Sequence, residues 1–144
     1  MSKLTLTDNE KIFWADLVIY VEQEVKTKQK RFNINNKKLK SFLKQKNINL
    51  KRAKISSKPF DKKQNENTIT FSKGKNFIAD LLCHLRNAFA HSNIEIDNNG
   101  DYLLSDYYGT GKLNMKGRIS PQLLFELIDQ IKAIGTNVVS TSTN

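Results

Sequence analysis

Apolar residues recur at helical spacing near the start of the chain. A helix is predicted from about Asp8 to about Lys28, because Thr7 and Glu10 form a capping-box pattern ahead of an amphipathic run. The apolar stripe of this run consists of Phe13, Trp14, Leu17, Val18, Tyr20, Val21 and Val25. A second, weaker helix is predicted over residues 36–46, where a few apolar side chains share one face.

Two further helices are predicted in the second half of the chain. The third runs from Ser72 to His91 and carries the most regular apolar face. That face consists of Phe77, Ile78, Leu81, Leu82, Leu85, Ala88 and Phe89. The last helix starts at Ser120 and Pro121, since serine is a favoured N-cap and proline fits the first helical position. It is predicted to end at Gly135.

Alternation of polar and apolar residues replaces the helical period between these last two helices. Residues 94–97 and 101–107 flank an Asn-Gly turn that ends at Gly100, which is typical of a β-hairpin. Residues 113–116 could add a third short strand. Residues 47–70 contain few periodic apolar positions, so we expect a basic loop there.

Together, these elements predict a mainly α fold. We expect a bundle of four to five helices with a small β-hairpin inserted before the last helix. The length of 144 residues suits one domain, which we place at residues 1–135 with the basic loop at 47–70. Residues 136–144 are expected to form a polar C-terminal tail.

Composition excludes several classes of protein. The single cysteine, Cys83, rules out an intramolecular disulfide framework and a cysteine-cluster metal site. The sequence contains no HExxH motif and no Asp, Glu and His cluster at metal-ligand spacing, so we expect no metal and no cofactor. It also lacks both an apolar run of roughly 18 residues and the apolar run of a signal peptide. We therefore expect a cytoplasmic protein with no membrane partner.

The net charge of +10 comes from one segment of the chain. Residues 26–63 hold fifteen of the 24 Lys and Arg residues and a single acid, Asp61. Such a segment attracts polyanions, of which nucleic acid is the commonest. We take Lys51, Arg52 and Lys54 as candidate substrate-binding residues. The alternative is a solvated, lysine-rich surface that keeps a small protein soluble.

The polar arc of the third predicted helix carries the candidate chemistry. At about 100° per residue, Arg86 and His91 lie at the two edges of this arc, about 140° apart. The small residues Cys83 and Ala90 lie near its middle. Small side chains allow another helix to approach, which indicates a surface that faces a partner. In a two-fold dimer, the arginine of one subunit could meet the histidine of the other in one cleft.

An arginine and a histidine together are suited to cleaving RNA. The planar guanidinium matches phosphate oxygens, and an imidazole with an ordinary pKa of about 6.5 exchanges a proton near neutral pH. When the adjacent 2′-OH is the nucleophile, cleavage needs a base, an acid and a cation, and no metal is required.

Residues 86–91, read as Arg-Asn-Ala-Phe-Ala-His, resemble the Arg-Asn-x-x-x-His signature of the HEPN superfamily. The likeness extends over residues 73–134, from the apolar helix before the motif to the final amphipathic helix. Proteins of this superfamily are α-helical bundles, usually dimeric, and many are metal-independent endoribonucleases of toxin, anti-phage or CRISPR systems. The resemblance implies that Arg86 contacts phosphate, that His91 is the catalytic acid or base, and that Asn87 orients His91 or the phosphate.

We therefore expect an enzyme: a metal-independent endoribonuclease that acts on RNA as a homodimer in a toxin–antitoxin or anti-phage system. An antitoxin or another regulatory protein is an expected partner. Two alternatives stay open, a non-catalytic nucleic-acid-binding module and a subunit whose small-residue face binds a partner protein. His84 is a further substrate-binding candidate at the rim of the cleft, with a structural role as its alternative.

Overall fold

A computed structural model describes residues 6–27, 32–52, 66–72, 74–108 and 112–142. Within these ranges the chain forms four α-helices, one π-helical turn and five β-strands. The helices are α1 (Asp8–Tyr20), α2 (Lys37–Gln45), α3 (Phe77–Ala90) and α4 (Pro121–Ser142), and the π-helical turn Val21–Val25 continues α1. The strands are β1 (Asn49–Arg52), β2 (Thr68–Phe71), β3 (Ile94–Ile96), β4 (Tyr102–Tyr108) and β5 (Lys112–Ile119).

The five strands form one mixed sheet in the order β1-β2-β5-β4-β3. β1 and β2 are parallel, whereas all other neighbouring strands are antiparallel. The prediction of a mainly α bundle is therefore wrong, because the helices share the fold with a five-stranded sheet. The main error lies in residues 47–70, predicted as a loop, whose described part contributes β1 and β2.

β2 is not predicted from the sequence because this strand is short and largely buried. Its residues pair with residues 115–118 of β5, and Thr68, Ile69 and Phe71 are all buried. Burial of adjacent positions removes the alternation that marks a half-exposed strand in a sequence. Tertiary pairing, rather than a local pattern, therefore decides the conformation of this segment.

The predicted hairpin is present as β3 and β4. In its turn, the carboxylate of Asp97 accepts hydrogen bonds from the backbone N–H groups of Asn99 (2.8 Å) and Asp101 (3.0 Å). Gly100 has a φ of +82°, a conformation that glycine adopts without a steric penalty. β5 then pairs along the length of β4 and is longer than the third strand predicted at residues 113–116.

α3 begins later than predicted, at Phe77 instead of Ser72. The cause is an N-cap: the Asn76 side chain accepts a hydrogen bond from the backbone N–H of Ala79 at 2.9 Å. α3 packs against α1, the π-helical turn and β4. Its buried side chains match most of the predicted apolar face, and they are Ile78, Ala79, Leu81, Leu82, Leu85 and Ala88.

α4 continues through Gly135 to Ser142, so the predicted end of this helix at Gly135 is wrong. Gly135 is buried, and a Cβ atom there would lie 2.8 Å from a ring carbon of Phe32. This glycine therefore allows a close approach within the helix instead of ending it. None of the described helices, α4 included, is long and apolar enough to cross a membrane.

Candidate functional site

The C-terminal end of α3 is held firmly by packing. The Phe89 ring stacks on the buried ring of Trp14 in α1, with the centroids 5.3 Å apart and the planes 2° from parallel. His91 is the C-cap residue, and its backbone N–H donates to the carbonyl of Asn87 at 2.9 Å. The backbone that carries the His91 side chain is thereby fixed on the surface.

The His91 side chain is exposed at this helix end. Within the described part of the chain, no hydrogen bond or ion pair holds its imidazole. An exposed imidazole without protein partners is available to a substrate or to a second copy of the chain.

The Arg86 guanidinium is partly buried and held by two acceptors. Its Nη1 donates to Asn87 Oδ1 at 3.1 Å, and its Nη2 lies 3.2 Å from Glu22 Oε1. Its Nε is buried and has no hydrogen-bond partner among the described residues. The side chain is 29% exposed, so part of it reaches solvent.

Glu22 comes from the π-helical turn and was not predicted as a site residue. The Lys26 N–H donates to the Val21 carbonyl at 3.0 Å, the five-residue spacing of a π-helix. Glu22 also accepts hydrogen bonds from Lys26 Nζ at 3.0 and 3.2 Å. The hydrogen bond from Lys26, together with the positive charges of Lys26 and Arg86, lowers the pKa of Glu22. The turn therefore supplies a carboxylate beside Arg86.

A second, buried group of polar residues lies beneath Asn87. The Nδ2 of Asn87 donates to Asp106 Oδ2 at 3.4 Å, and the same oxygen lies 2.7 Å from His84 Nδ1. His84 Nε2 lies 2.9 Å from the backbone carbonyl of Ser72. Asp106 belongs to β4, and its side chain is only 4% exposed.

His84 sits between two hydrogen-bond acceptors, so both of its ring nitrogens must donate, which requires the imidazolium. Burial by itself lowers the pKa of His84, but the hydrogen bonds to Asp106 and to the Ser72 carbonyl outweigh burial and raise it above 6.5. In this arrangement neither ring nitrogen is left for a ligand.

The other candidate substrate-binding residues lie away from the motif. Lys51 and Arg52 are exposed on β1, and Lys54 lies outside the described residues. Arg52 lines an open groove of about 460 Å³ at the N-terminal end of α3. The lining residues are Phe32, Asn33, Ile34, Arg52, Lys75, Asn76 and Phe77, and they include no carboxylate. The structure thus brings Arg52 to one end of α3 and the motif to the other.

No metal-binding cluster accompanies the motif in the part of the chain that the structure describes. In these ranges, no group of three or more His, Cys, Asp and Glu side chains could hold a metal ion. Cys83 is half-buried, and burial raises the pKa of its thiol, so it is a poor nucleophile near neutral pH.

Arg86 and His91 of one chain lie on different sides of the C-terminal end of α3. They lie on one rigid helix about 140° apart around its axis and about 7.5 Å apart along it. Arg86 points towards the π-helical turn, where Glu22 binds it, whereas His91 caps the helix end.

Comparison with known proteins assigns the family. A family model described as HEPN pEK499 p136 matches residues 12–141. No curated protein and no solved structure matches the chain. HEPN domains typically act as dimers and bind RNA, and membership points to nuclease or nucleotide-binding function in general. Because the match spans nearly the whole chain, this protein belongs to the HEPN pEK499 p136 family of HEPN-type domains.

Proposed function

We propose that the protein is a metal-independent endoribonuclease whose site forms between two copies of the chain. The observation that carries this proposal is the position of Arg86, Asn87 and His91 at an exposed end of α3 in a HEPN-type domain. The exposed His91 imidazole and the partly open Arg86 guanidinium supply the two kinds of group that RNA cleavage needs.

The reaction balances without a metal or cofactor. One His91 takes the proton of the 2′-OH, and the 2′-oxygen attacks the adjacent phosphorus. The bond from phosphorus to the 5′-oxygen breaks as the same His91, now an imidazolium, gives that oxygen the proton. Arg86 stabilises the charge that develops on the phosphorane oxygens. The products are a 2′,3′-cyclic phosphate and a free 5′-OH.

Asn87 supports Arg86 in this proposal. Its Oδ1 accepts from the guanidinium at 3.1 Å and so restrains the direction in which the cation presents its remaining donors. Glu22 competes with the RNA for Arg86, because its carboxylate already lies 3.2 Å from Nη2. Water reaches the Glu22 side of this ion pair and screens it, so a phosphate can displace the carboxylate from Arg86.

The basic residues of β1 supply the surface that attracts RNA. Arg52 and Lys75 line one open groove with the Phe77 ring, an arrangement suited to a phosphate beside a base. α3 has 14 residues, which makes it about 20 Å long, so this groove would hold nucleotides several positions from the bond that is cut. Lys51 on β1 extends the same basic region, whereas Lys54 lies outside the described residues.

The exposed motif supports a proposal about the biological setting. An unregulated ribonuclease harms its own cell, so we place the protein in a toxin–antitoxin or anti-phage system. An antitoxin or other regulatory protein would act by covering the end of α3, which carries His91.

Cleavage of RNA by the purified protein in EDTA tests the proposal. We expect 2′,3′-cyclic phosphate ends, a loss of at least about 100-fold in rate for His91→Ala, and a similar loss for Arg86→Ala. Asn98→Ala, an exposed substitution in the hairpin turn, is the control that should cleave normally.

The same preparations decide between this proposal and its alternatives. Salt-dependent RNA binding that survives His91→Ala, with no cleavage product from the wild type, would identify a non-catalytic binding module. Wild-type cleavage rates in the His91→Ala protein would overturn the assigned roles.

A further inference from the structure

A buried ion pair lies directly beneath the HEPN motif and has no part in the reaction above. His84 of α3 and Asp106 of β4 are separated by 2.7 Å between Nδ1 and Oδ2, and their side chains are 13% and 4% exposed. Taking two charges out of water is unfavourable unless further hydrogen bonds compensate. Here they do, because the Ser72 carbonyl and the Asn87 amide complete the pair.

Asp106 determines which way the Asn87 amide points. A carboxylate only accepts hydrogen bonds, so Asn87 must turn its NH₂ group towards Asp106. The amide oxygen then faces Arg86, a pure donor, and accepts from Nη1. With the amide flipped, NH₂ would face the guanidinium and oxygen would face the carboxylate. Both contacts would then be repulsive.

The fold holds Asp106 in this position. Tyr102 and Leu104 occupy alternate positions of β4 and are buried, and Asp106 continues the same inward face. The register between β4 and β5 shifts immediately after it, between Asp106 and Tyr107. Such irregularities re-aim side chains next to functional sites. His84 is in turn anchored through Ser72, whose backbone N–H donates to the Asn114 carbonyl of β5 at 2.9 Å.

We propose that Asp106 and His84 are positioning residues that fix the Asn87 amide and, through it, the Arg86 guanidinium. This inference rests on the proposed ribonuclease site and extends it from the motif on α3 into the sheet. Its defining feature is a relay of contacts from the Ser72 carbonyl through His84, Asp106 and Asn87 to Arg86.

Cleavage kinetics of four variants test the relay. Asp106→Ala removes the acceptor for Asn87, and we expect kcat to fall about tenfold because Arg86 is less well oriented. Asp106→Asn keeps an oxygen in place and should retain most of the activity. Adding Asp106→Ala to Asn87→Ala should cause no further loss in kcat, because the relay is already broken. A purely structural role would instead give losses that multiply.

The matched control is Asp101→Asn in the same hairpin. Asp101 also accepts a hydrogen bond from a cation, Arg118 Nε at 3.2 Å, but neither residue belongs to the relay. The Asp101→Asn substitution should lower the free energy of unfolding without changing kcat. Unchanged kcat in a folded Asp106→Ala protein, or multiplicative losses in the double variant, would overturn the inference.

Nuclear magnetic resonance on the wild-type protein gives a readout that needs neither catalysis nor a destabilised variant. Loss of the His84 proton should shift the side-chain amide resonances of Asn87 with the same midpoint pH.

Asp80 also acts on His84 through its charge, so Asp80→Asn should move this midpoint down while the two titrations stay matched. Asn87 amide resonances that do not shift as His84 titrates would refute the relay. This outcome is decisive even if the wild type cuts no RNA. A matched titration without RNA cleavage would leave the relay standing and refute only the ribonuclease.

Discussion

At the scale of single residues, the environment of His84 constrains its protonation state. Both of its ring nitrogens face acceptors, Asp106 Oδ2 and the Ser72 carbonyl, and the pKa of His84 is raised as a result. In the unfolded chain the pKa of a histidine is about 6.5. The folded state therefore binds the His84 proton more tightly than the unfolded state, and folding gains free energy wherever His84 is protonated.

Unfolding experiments at several pH values should expose this gain. Below about pH 6.5 the wild type should exceed His84→Gln in free energy of unfolding by roughly 1.5–3 kcal/mol, the value of hydrogen bonds to a charged group. The gap should shrink as the pH rises through the folded-state pKa of His84, because the proton is then lost from both states. Urea titrations of both proteins at matched pH values measure the gap. A gap that grows with pH would contradict the imidazolium assignment.

The sequence reveals the motif residues but not their supports. Arg86, Asn87 and His91 are visible because six consecutive residues on one helix carry the pattern. Glu22 and Asp106 reach the same place from a π-helical turn and from a strand, and only folding joins them to α3. The spacing of residues along the sequence does not predict contacts between such distant segments. The identification of the family from the motif is confirmed, whereas the contacts that hold the motif required the structure.

At the scale of elements, the sequence locates helices better than strands. α1, α2 and α3 lie near their predicted positions, because apolar residues recur at helical spacing along each of them. β1 and β2 are four residues each and depend on pairing with distant segments. The predicted helix end at Gly135 is wrong for a related reason. A glycine can either end a helix or permit close packing, and only the residue that packs against it distinguishes the two roles.

Gly135→Ala tests whether close packing explains this glycine. Alanine favours a helix by about 1 kcal/mol over glycine, so without a steric conflict the change would stabilise the protein. The added Cβ would lie 2.8 Å from the Phe32 ring and 3.1 Å from the Tyr20 hydroxyl, and Phe32 is only 2% exposed. Overpacking of this kind is unfavourable by about 1–3 kcal/mol. We expect a net loss of about 1 kcal/mol in urea unfolding.

The control for that substitution lies two residues earlier. Ala133 is exposed on the same helix, so Ala133→Gly reports helix preference alone and should lower the free energy of unfolding by about 1 kcal/mol. A Gly135→Ala protein more stable than the wild type would show that Phe32 moves aside and that the close approach is unimportant.

At the scale of the whole molecule, α3 connects two surfaces of different chemistry. β1, with exposed Lys51 and Arg52, is an edge strand of the described sheet, and charged side chains on an edge also prevent unwanted strand pairing. The motif lies at the opposite end of α3 from Arg52 and is flanked by Glu22. A long, flexible polyanion can contact both ends, whereas a mononucleotide cannot. The arrangement therefore supports the proposed RNA ligand over a mononucleotide.

Whether two chains share one site is a property of the assembled molecule, and subunit mixing tests it. In a composite site the Arg86 of one subunit works with the His91 of the other, so Arg86→Ala and His91→Ala proteins are each inactive. Mixed after mild unfolding and refolding, they form heterodimers in which one of the two sites regains both groups. With random pairing, half of the dimers are mixed, so about a quarter of the wild-type cleavage rate should return. Each variant refolded alone is the control and should stay inactive. If the mixture stays as inactive as its components while mixed dimers are present, each site draws both groups from one chain and the shared cleft is wrong.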